Sequence, residues 1–186
     1  WDSGRTPTRV IEHGVRVPPE VRYTGELPRG VVVANGMQNR ARITGLDLVL
    51  DLRERVPLDL IGMDTEKLGG LGDIPYVDLH AVEARYRFYW HPIRYTSLGL
   101  ALLEAMMVGL PALCFAVTEH PRVIQDGVNG FISNNLLELE ERMHILLRDP
   151  ALAREIGRAG QQVVRERYNI QRFVRDWDQT LREVAE

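Results

Sequence analysis

Residues 95–118 read YTSLGLALLEAMMVGLPALCFAVT, and Glu104 is the only charged side chain among them. An unpaired carboxylate inside such an apolar run costs several kcal/mol, roughly 2–5 on mutational scales, so a polar partner or a ligand is required to meet it. Leu98 to Val117 is also about the length that crosses a bilayer. Gly109-Leu110-Pro111 would break a membrane helix midway, Glu104 would oppose insertion, and no cluster of Lys and Arg flanks the run. The segment therefore divides into a helix over about Leu98–Val108, a turn at Gly109–Pro111 and a strand over Ala112–Val117. A helix apolar all round, next to a strand apolar throughout, predicts a parallel sheet covered on both faces.

Working outward from this block, Val31–Ala34 reads as a buried strand followed by a loop containing Gly36. A helix is expected over roughly Gly45–Arg55, a second strand at Leu58–Gly62, and a glycine-rich loop at Asp64–Pro75. A helix over Tyr76–Tyr86 leads to a third strand, Arg87–His91, ended by Pro92. Beyond the central block come a short helix near Pro121–Gln125 and a last strand at Gly130–Ser133. Strands alternating with helices predict an α/β fold, a Rossmann-like doubly wound parallel sheet.

The C-terminal third reads as helix only. Leu136, Leu139, Met143 and Leu146 share one face. Asp149-Pro150 is an N-cap followed by proline at the first helical position. The next helix places Leu152, Ile156, Ala159 and Val163 in register. The last aligns Ile170, Phe173, Val174, Trp177, Leu181 and Val184 in a wide aromatic stripe that must bury against something.

The chain has 186 residues, with 23 Lys and Arg against 26 Asp and Glu, a formal charge of −3. That size suits one domain, and the charge gives no support to nucleic-acid binding, which needs a basic face. The single Cys114 cannot form an internal disulfide, so a reducing, cytoplasmic setting is the default. The chain opens WDSGRTPTRV, with neither Met nor a signal-peptide pattern, which suggests a fragment or processed chain. The five histidines show no metal-ligand spacing, so neither a metal nor a cofactor is expected.

In an open parallel sheet ligands bind beyond the carboxyl ends of the strands. Three loops there carry candidate residues. The loop after the first strand offers Gly36 with Arg40 and Arg42, which can pair with phosphate or form a solvated turn. The loop after the third strand offers Thr96, Ser97, Leu98 and Gly99, whose amides open a helix and suit an anion. Thr96 or Ser97 is equally a simple N-cap. Glu104, further along that helix, is placed to reach ligand hydroxyls. Glu119 and His120 follow the next strand. Lys67-Leu-Gly-Gly-Leu-Gly72 looks like a phosphate loop, but lacks Walker spacing and runs into Pro75.

Ser97-Leu-Gly-Leu-Ala-Leu-Leu-Glu104-Ala-Met-Met-Val-Gly109-Leu-Pro111 resembles the donor-site signature of group 1 (family 4) retaining glycosyltransferases. The similarity continues through Pro121-Arg-Val-Ile-Gln-Asp-Gly-Val-Asn-Gly130-Phe131, Leu146-Leu-Arg-Asp-Pro150 and the Tyr168…Trp177 helix. Upstream, Val10-Ile-Glu-His-Gly14-Val resembles the segment that leads into the second domain of these enzymes. Members pair two Rossmann-like halves, the GT-B fold, with the active site between them. The resemblance implies that this chain is the C-terminal, nucleotide-sugar-binding half: residues 1–28 an interdomain lead-in, 29–186 the donor domain with its C-terminal helices, and the N-terminal acceptor-binding domain absent.

By the same resemblance Glu104 matches the glutamate that binds the donor ribose, and Ser97, Leu98 and Gly99 supply amides to the diphosphate. The chain departs from the pattern elsewhere. Thr96 stands where a second glutamate is usual, and Gly36 or Met37 and Thr44 stand where Arg and Lys are usual. Thr118, Glu119 and His120 replace the region of a Gly-Gly pair. Arg40 or Arg42 is then expected to supply phosphate charge, and Thr96 or Glu119 to hydrogen-bond the sugar. The implied activity is metal-independent transfer of a sugar from a nucleotide-sugar with retention, needing the missing half; no catalytic residue is assigned within this chain. A non-catalytic nucleotide-binding or scaffold module of the same fold is the alternative. A phospho-receiver domain is a weaker one, lacking acids at the ends of the first and third strands.

Overall fold

In the computed structural model, Gly4 and residues 8–185 are described. Five parallel strands, β1 (Leu27–Val33), β2 (Leu58–Ile61), β3 (Tyr86–His91), β4 (Ala112–Cys114) and β5 (Phe131–Ile132), form one sheet in the order β2-β1-β3-β4-β5. The helices are α1 (Ala41–Thr44), α2 (Leu46–Arg53), α3 (Tyr76–Glu83), α4 (Leu100–Val108), α5 (His120–Val123), α6 (Leu136–Arg148), α7 (Pro150–Arg167) and α8 (Ile170–Ala185). The expected Rossmann-like doubly wound fold is present.

Alternation along the strands builds two cores. Val31, Tyr89, Ala112 and Cys114 face α4 and the end of α7. Val32, Leu58, Leu60, Phe88, Trp90 and Leu113 face α2, α6 and the start of α7. Both faces of β3 are therefore buried, and Phe88, Tyr89 and Trp90 are wholly so. At about 1.5–3 kcal/mol for each large apolar side chain removed from water, this strand anchors both layers. From β1 the chain steps to β2 on one side and to β3 on the other. The carboxyl ends of β1 and β3 thus flank the point where the winding reverses, the crevice in which such sheets bind ligands.

Several expectations are adjusted. The expected helix Gly45–Arg55 is α2, and a further short helix, α1, precedes it; Gly45 (φ 72°) separates the two where a side chain would strike the Pro92 carbonyl. The segment 64–75 holds a 3-10 turn, Thr65–Leu68, and folds back on β2 through Leu71 N–H to Leu60 O (2.8 Å). Strand β1 begins two residues before the expected boundary at 28/29, and the lead-in packs on the body through buried Val15 and the Tyr23 hydroxyl, which donates to Arg87 O at 2.8 Å. Residues 1–3 and 5–7 of that lead-in, and Glu186, lie outside the described residues.

The C-terminal helices hold two corrections. Asn135 and Asp149 cap α6 and α7 through side-chain bonds to the first-turn amides, and Pro150 sits at the first position as expected. The buried face of α7, however, is Ala153, Ile156, Gly157, Gly160 and Val164, rotated from the Leu152–Ile156–Ala159–Val163 face. A side chain at Gly157 would collide with the Gly109 carbonyl, so small residues seat this helix against the turn before β4. On α8 no residue is fully buried: Ile170 and Phe173 are half-buried against Gly14 of the lead-in, while Val174, Trp177, Leu181 and Val184 are 44–80% exposed. No helix among the described residues is long and apolar enough to cross a membrane.

Candidate functional site

The loops after β1 and β3 are tied together at the crevice. Arg94 N–H donates to Ile43 O (3.0 Å), and its guanidinium grips Asp47 through two bonds of 2.8 and 2.7 Å. The Asp47 carboxyl is held below its usual range by that guanidinium. Arg94 is thus committed to structure. Arg40 and Arg42 are exposed and have no carboxylate partner among the described residues; Arg42 lies over the Tyr95 ring at 5.9 Å. Gly36 (φ 60°) has open space around it, and its N–H is spent on Met63 O at 3.1 Å.

At the start of α4 the N-cap is Gly99, in an extended conformation and making no side-chain cap; neither Thr96 nor Ser97 caps the helix. First-turn amides without a capping side chain form a site for negative charge. Glycine is required at 99 because a Cβ would lie 2.6 Å from His91 Cε1 and 2.8 Å from Nε2. The His91 ring sits beneath this turn, buried, with Nε2 lacking a partner among the described residues. The Tyr89 hydroxyl lies 3.2 Å from His91 Nδ1. Where the phenol donates, Nδ1 accepts and Nε2 carries the proton, leaving a neutral N–H donor facing the loop. Burial, together with neighbouring His120, holds the His91 pKa down at about 3, so the ring is uncharged at neutral pH.

Thr118 supports the same loop from the next strand end. It adopts φ 47°, unusual for a β-branched residue, and its hydroxyl lies 2.6 Å from Thr96 O and 2.7 Å from Ser97 O. Peptide planarity turns the following N–H groups, of Ser97 and Leu98, away from Thr118. Glu119 N–H donates to Ser97 O at 3.3 Å, and the Glu119 carboxylate pairs with Arg122 at 3.1 Å. The side-chain hydroxyls of Thr96 and Ser97 have no partner among the described residues.

Glu104 projects from the second turn of α4, half-buried, and no cation pairs with it among the described residues. Its polar partner is the Tyr76 hydroxyl, which donates to Oε1 at 2.7 Å. Burial and this bond push the Tyr76 pKa up to about 12. Tyr76 in turn lines a cleft of about 330 Å³ with Asn35, Met63, Asp73, Ile74 and Leu79 at the ends of β1 and β2. Beneath lies Glu83, 1% exposed and 3.3 Å from His80; burial raises its pKa, and the charge of Glu104 adds to the rise. Asn35, Asp73, Tyr76 and His91 are site residues absent from the sequence-based set. Their signals were weak: Tyr76 begins a helix after an irregular loop, and His91 reads as the end of an aromatic strand. No group of three or more His, Cys, Asp and Glu among the described residues is arranged to hold a metal.

The family model described as glycosyl transferases group 1 matches residues 65–163, the span that runs from the β2 edge through Glu104 to α7. The chain belongs to that family. It is 41% identical over 56 residues to O-antigen chain mannosyltransferase B of Escherichia coli, covering 30% of this chain and 15% of that protein. Its fold is similar to sucrose-phosphate synthase of Thermosynechococcus elongatus, with TM-score 0.76, 18% identity, and 95% of this chain on 52% of that one. It is also similar to Anabaena HepE solved with UDP, with TM-score 0.69, 17% identity, and 83% on 48%. These neighbours are GT-B glycosyltransferases. This group 1 glycosyltransferase chain spans about half the length, or less, of the three proteins just named.

Proposed function

We propose that the chain is the donor-binding half of a glycosyltransferase that takes its sugar from a nucleoside-diphosphate sugar. The observation that carries this reading is the cation-free, half-exposed carboxylate of Glu104, one turn along a helix whose N-terminus is uncapped. The separation suits a ligand with phosphates at one end and hydroxyls nearby. Ser97, Leu98 and Gly99 amides, with Arg40 or Arg42, meet the diphosphate; Glu104 accepts from the vicinal ribose hydroxyls. HepE was solved with UDP, which supports a nucleotide in this crevice.

The chemistry of these residues is stabilisation of a leaving group. As the bond from the anomeric carbon to the diphosphate lengthens, negative charge grows on the phosphate oxygens. Fixed amide dipoles and arginine charge aimed at those oxygens lower the barrier, and no step is routed through a metal or other cofactor. Thr96, with its free hydroxyl, is placed for the sugar; Glu119 would first have to release Arg122. Transfer with retention belongs to the joined protein, in which an upstream N-terminal acceptor-binding domain completes the cleft. The exposed part of the stripe on α8, Val174 to Val184, suits packing against that domain. The chain alone then binds donor with little or no turnover, in the cytoplasmic setting that a lone reduced Cys114 suits.

A non-catalytic nucleotide-binding module is the competing reading, favoured by Thr96 standing where an acid is usual. Calorimetric titration of uridine, guanosine and adenosine diphosphates into the chain tests binding. Transfer or hydrolysis assays on a protein that includes the upstream half separate the two readings. Binding with turnover supports the transferase, binding without turnover supports the module, and no binding of any of the three contradicts both.

A further inference from the structure

A second cleft, of about 300 Å³, opens at the other end of the sheet. It is lined by Arg22, Tyr23, Gly109, Arg154, Arg158, Gln161 and Arg165. Gly109 lies just before β4 begins at Ala112, and Arg22 and Tyr23 precede the start of β1 at Leu27, so these are the amino ends of the strands. The loops discussed above lie at the carboxyl ends.

The four arginines are exposed, and none has a carboxylate partner among the described residues. Arg9, Arg29, Arg55, Arg85, Arg94, Arg122, Arg167, Arg172 and Arg182 are each ion-paired, whereas this one cleft gathers four arginines with no carboxylate among its lining residues. Acids outnumber bases overall, 26 to 23, yet no acid lines this cleft. Arg154, Arg158, Gln161 and Arg165 follow one another at spacings of three and four residues along α7, which stacks like charges on one face and costs helix stability. Local bonds take up little of their donor capacity. Arg22 bonds Pro19 O and Val21 O, and Arg154 reaches Thr24 O at 3.4 Å. The Arg158 and Arg165 guanidinium groups have no hydrogen-bond partner among the described residues. Gln161 is held by Met107 O (2.8 Å) and Val108 O (3.1 Å), and Tyr23 by Arg87 O, so the walls are fixed while most guanidinium donors are unspent.

We propose that this cleft binds an anion carrying two or more phosphate groups. Planar guanidinium forks match phosphate oxygens two at a time, and converging forks select polyanions over single charges. The volume admits a small molecule with two phosphates, or the headgroup of a lipid that carries two phosphates, with its tails outside.

The test is a titration of inorganic pyrophosphate into the isotope-labelled 186-residue chain, followed by amide NMR. The expected result is saturable shifts at Arg22–Tyr23 and Arg154–Arg165, with affinity reduced about tenfold or more in Arg158→Gln/Arg165→Gln, and in Arg154→Gln as a separate variant. Unchanged spectra elsewhere verify that the variants fold. Flotation with cardiolipin vesicles, whose headgroup carries two phosphates, against phosphatidylcholine, distinguishes the sources: arginine-dependent flotation identifies a headgroup, and pyrophosphate binding without flotation a soluble ligand. Shifts confined to residues 96–102, binding indifferent to the arginine variants, or neither binding nor flotation would overturn the proposal.

Discussion

The Tyr76 hydroxyl donates a 2.7 Å hydrogen bond to Glu104 Oε1, so the carboxylate is held by a phenol and not by a cation. A salt bridge would have neutralised Glu104 and removed it from ligand binding. A neutral donor leaves the charge intact and fixes the side chain. Because Tyr76 remains protonated until about pH 12, the bond persists through the working pH range.

Tyr76→Phe keeps the ring and removes the donor. Loss of one charge-assisted bond is worth about 1.5 kcal/mol or somewhat more, so nucleoside-diphosphate affinity should fall about tenfold. Both side chains are partly exposed, and thermal stability should barely change. Calorimetry alongside a thermal melt checks both; a stable variant with unchanged affinity would contradict the account.

Thr118 accepts an unfavourable φ while its hydroxyl ties down Thr96 O and Ser97 O. Thr118→Ala keeps the strain and loses the tie, and should destabilise the chain by about 1–2 kcal/mol in urea unfolding. Thr118→Gly loses the tie but relieves the strain, and should be the milder of the two. Both should weaken diphosphate binding, since the loop amides lose their orientation.

Acid should destabilise the protein through its buried histidines. His91 titrates at about 3 when folded against about 6.5 unfolded, and His120 is also lowered, chiefly by burial. Between those values the unfolded chain binds more protons, so stability falls as pH drops, by up to about 1.4 kcal/mol per pH unit for each histidine. Glu83, raised above its ordinary 4.5 by burial, acts in the opposite sense above that pH, but one group opposes two. Urea midpoints between pH 7 and 5 should decrease, and His91→Gln should flatten the slope.

The stripe on α8 makes a different prediction. Leu181 and Val184 are 61% and 80% exposed, so Leu181→Glu should change the stability of this chain by less than about 0.5 kcal/mol. In a protein that includes the upstream half the same substitution should lower the melting temperature. Equal effects in both would remove the α8 face as an interdomain surface.

The sheet was legible because its signals are local. Val31–Ala34 and the aromatic run Phe88–Trp90 are apolar throughout, as a doubly covered strand requires, and Leu58–Gly62 is so apart from Asp59, which pairs with Arg29. Glu104 was legible for the converse reason, a charge where none belongs. What stayed hidden depends on tertiary approach. Gly157 and Gly160 carry no hydrophobic signal, yet they set the buried face of α7. Tyr76 and Glu104 lie 28 residues apart, and no periodicity joins them. The α8 stripe was visible, but among the described residues only its start, Ile170 and Phe173, is packed, against Gly14.

The central claim is that Glu104 recognises the two ribose hydroxyls of a nucleotide. It is tested most directly by a thermodynamic cycle comparing a ribonucleoside diphosphate with its 2′,3′-dideoxy counterpart, on wild type and Glu104→Ala. The account predicts that wild type prefers the ribonucleotide by about tenfold or more and that the variant shows no preference. An equal preference in both proteins would show that another group reads the ribose and would contradict the assignment.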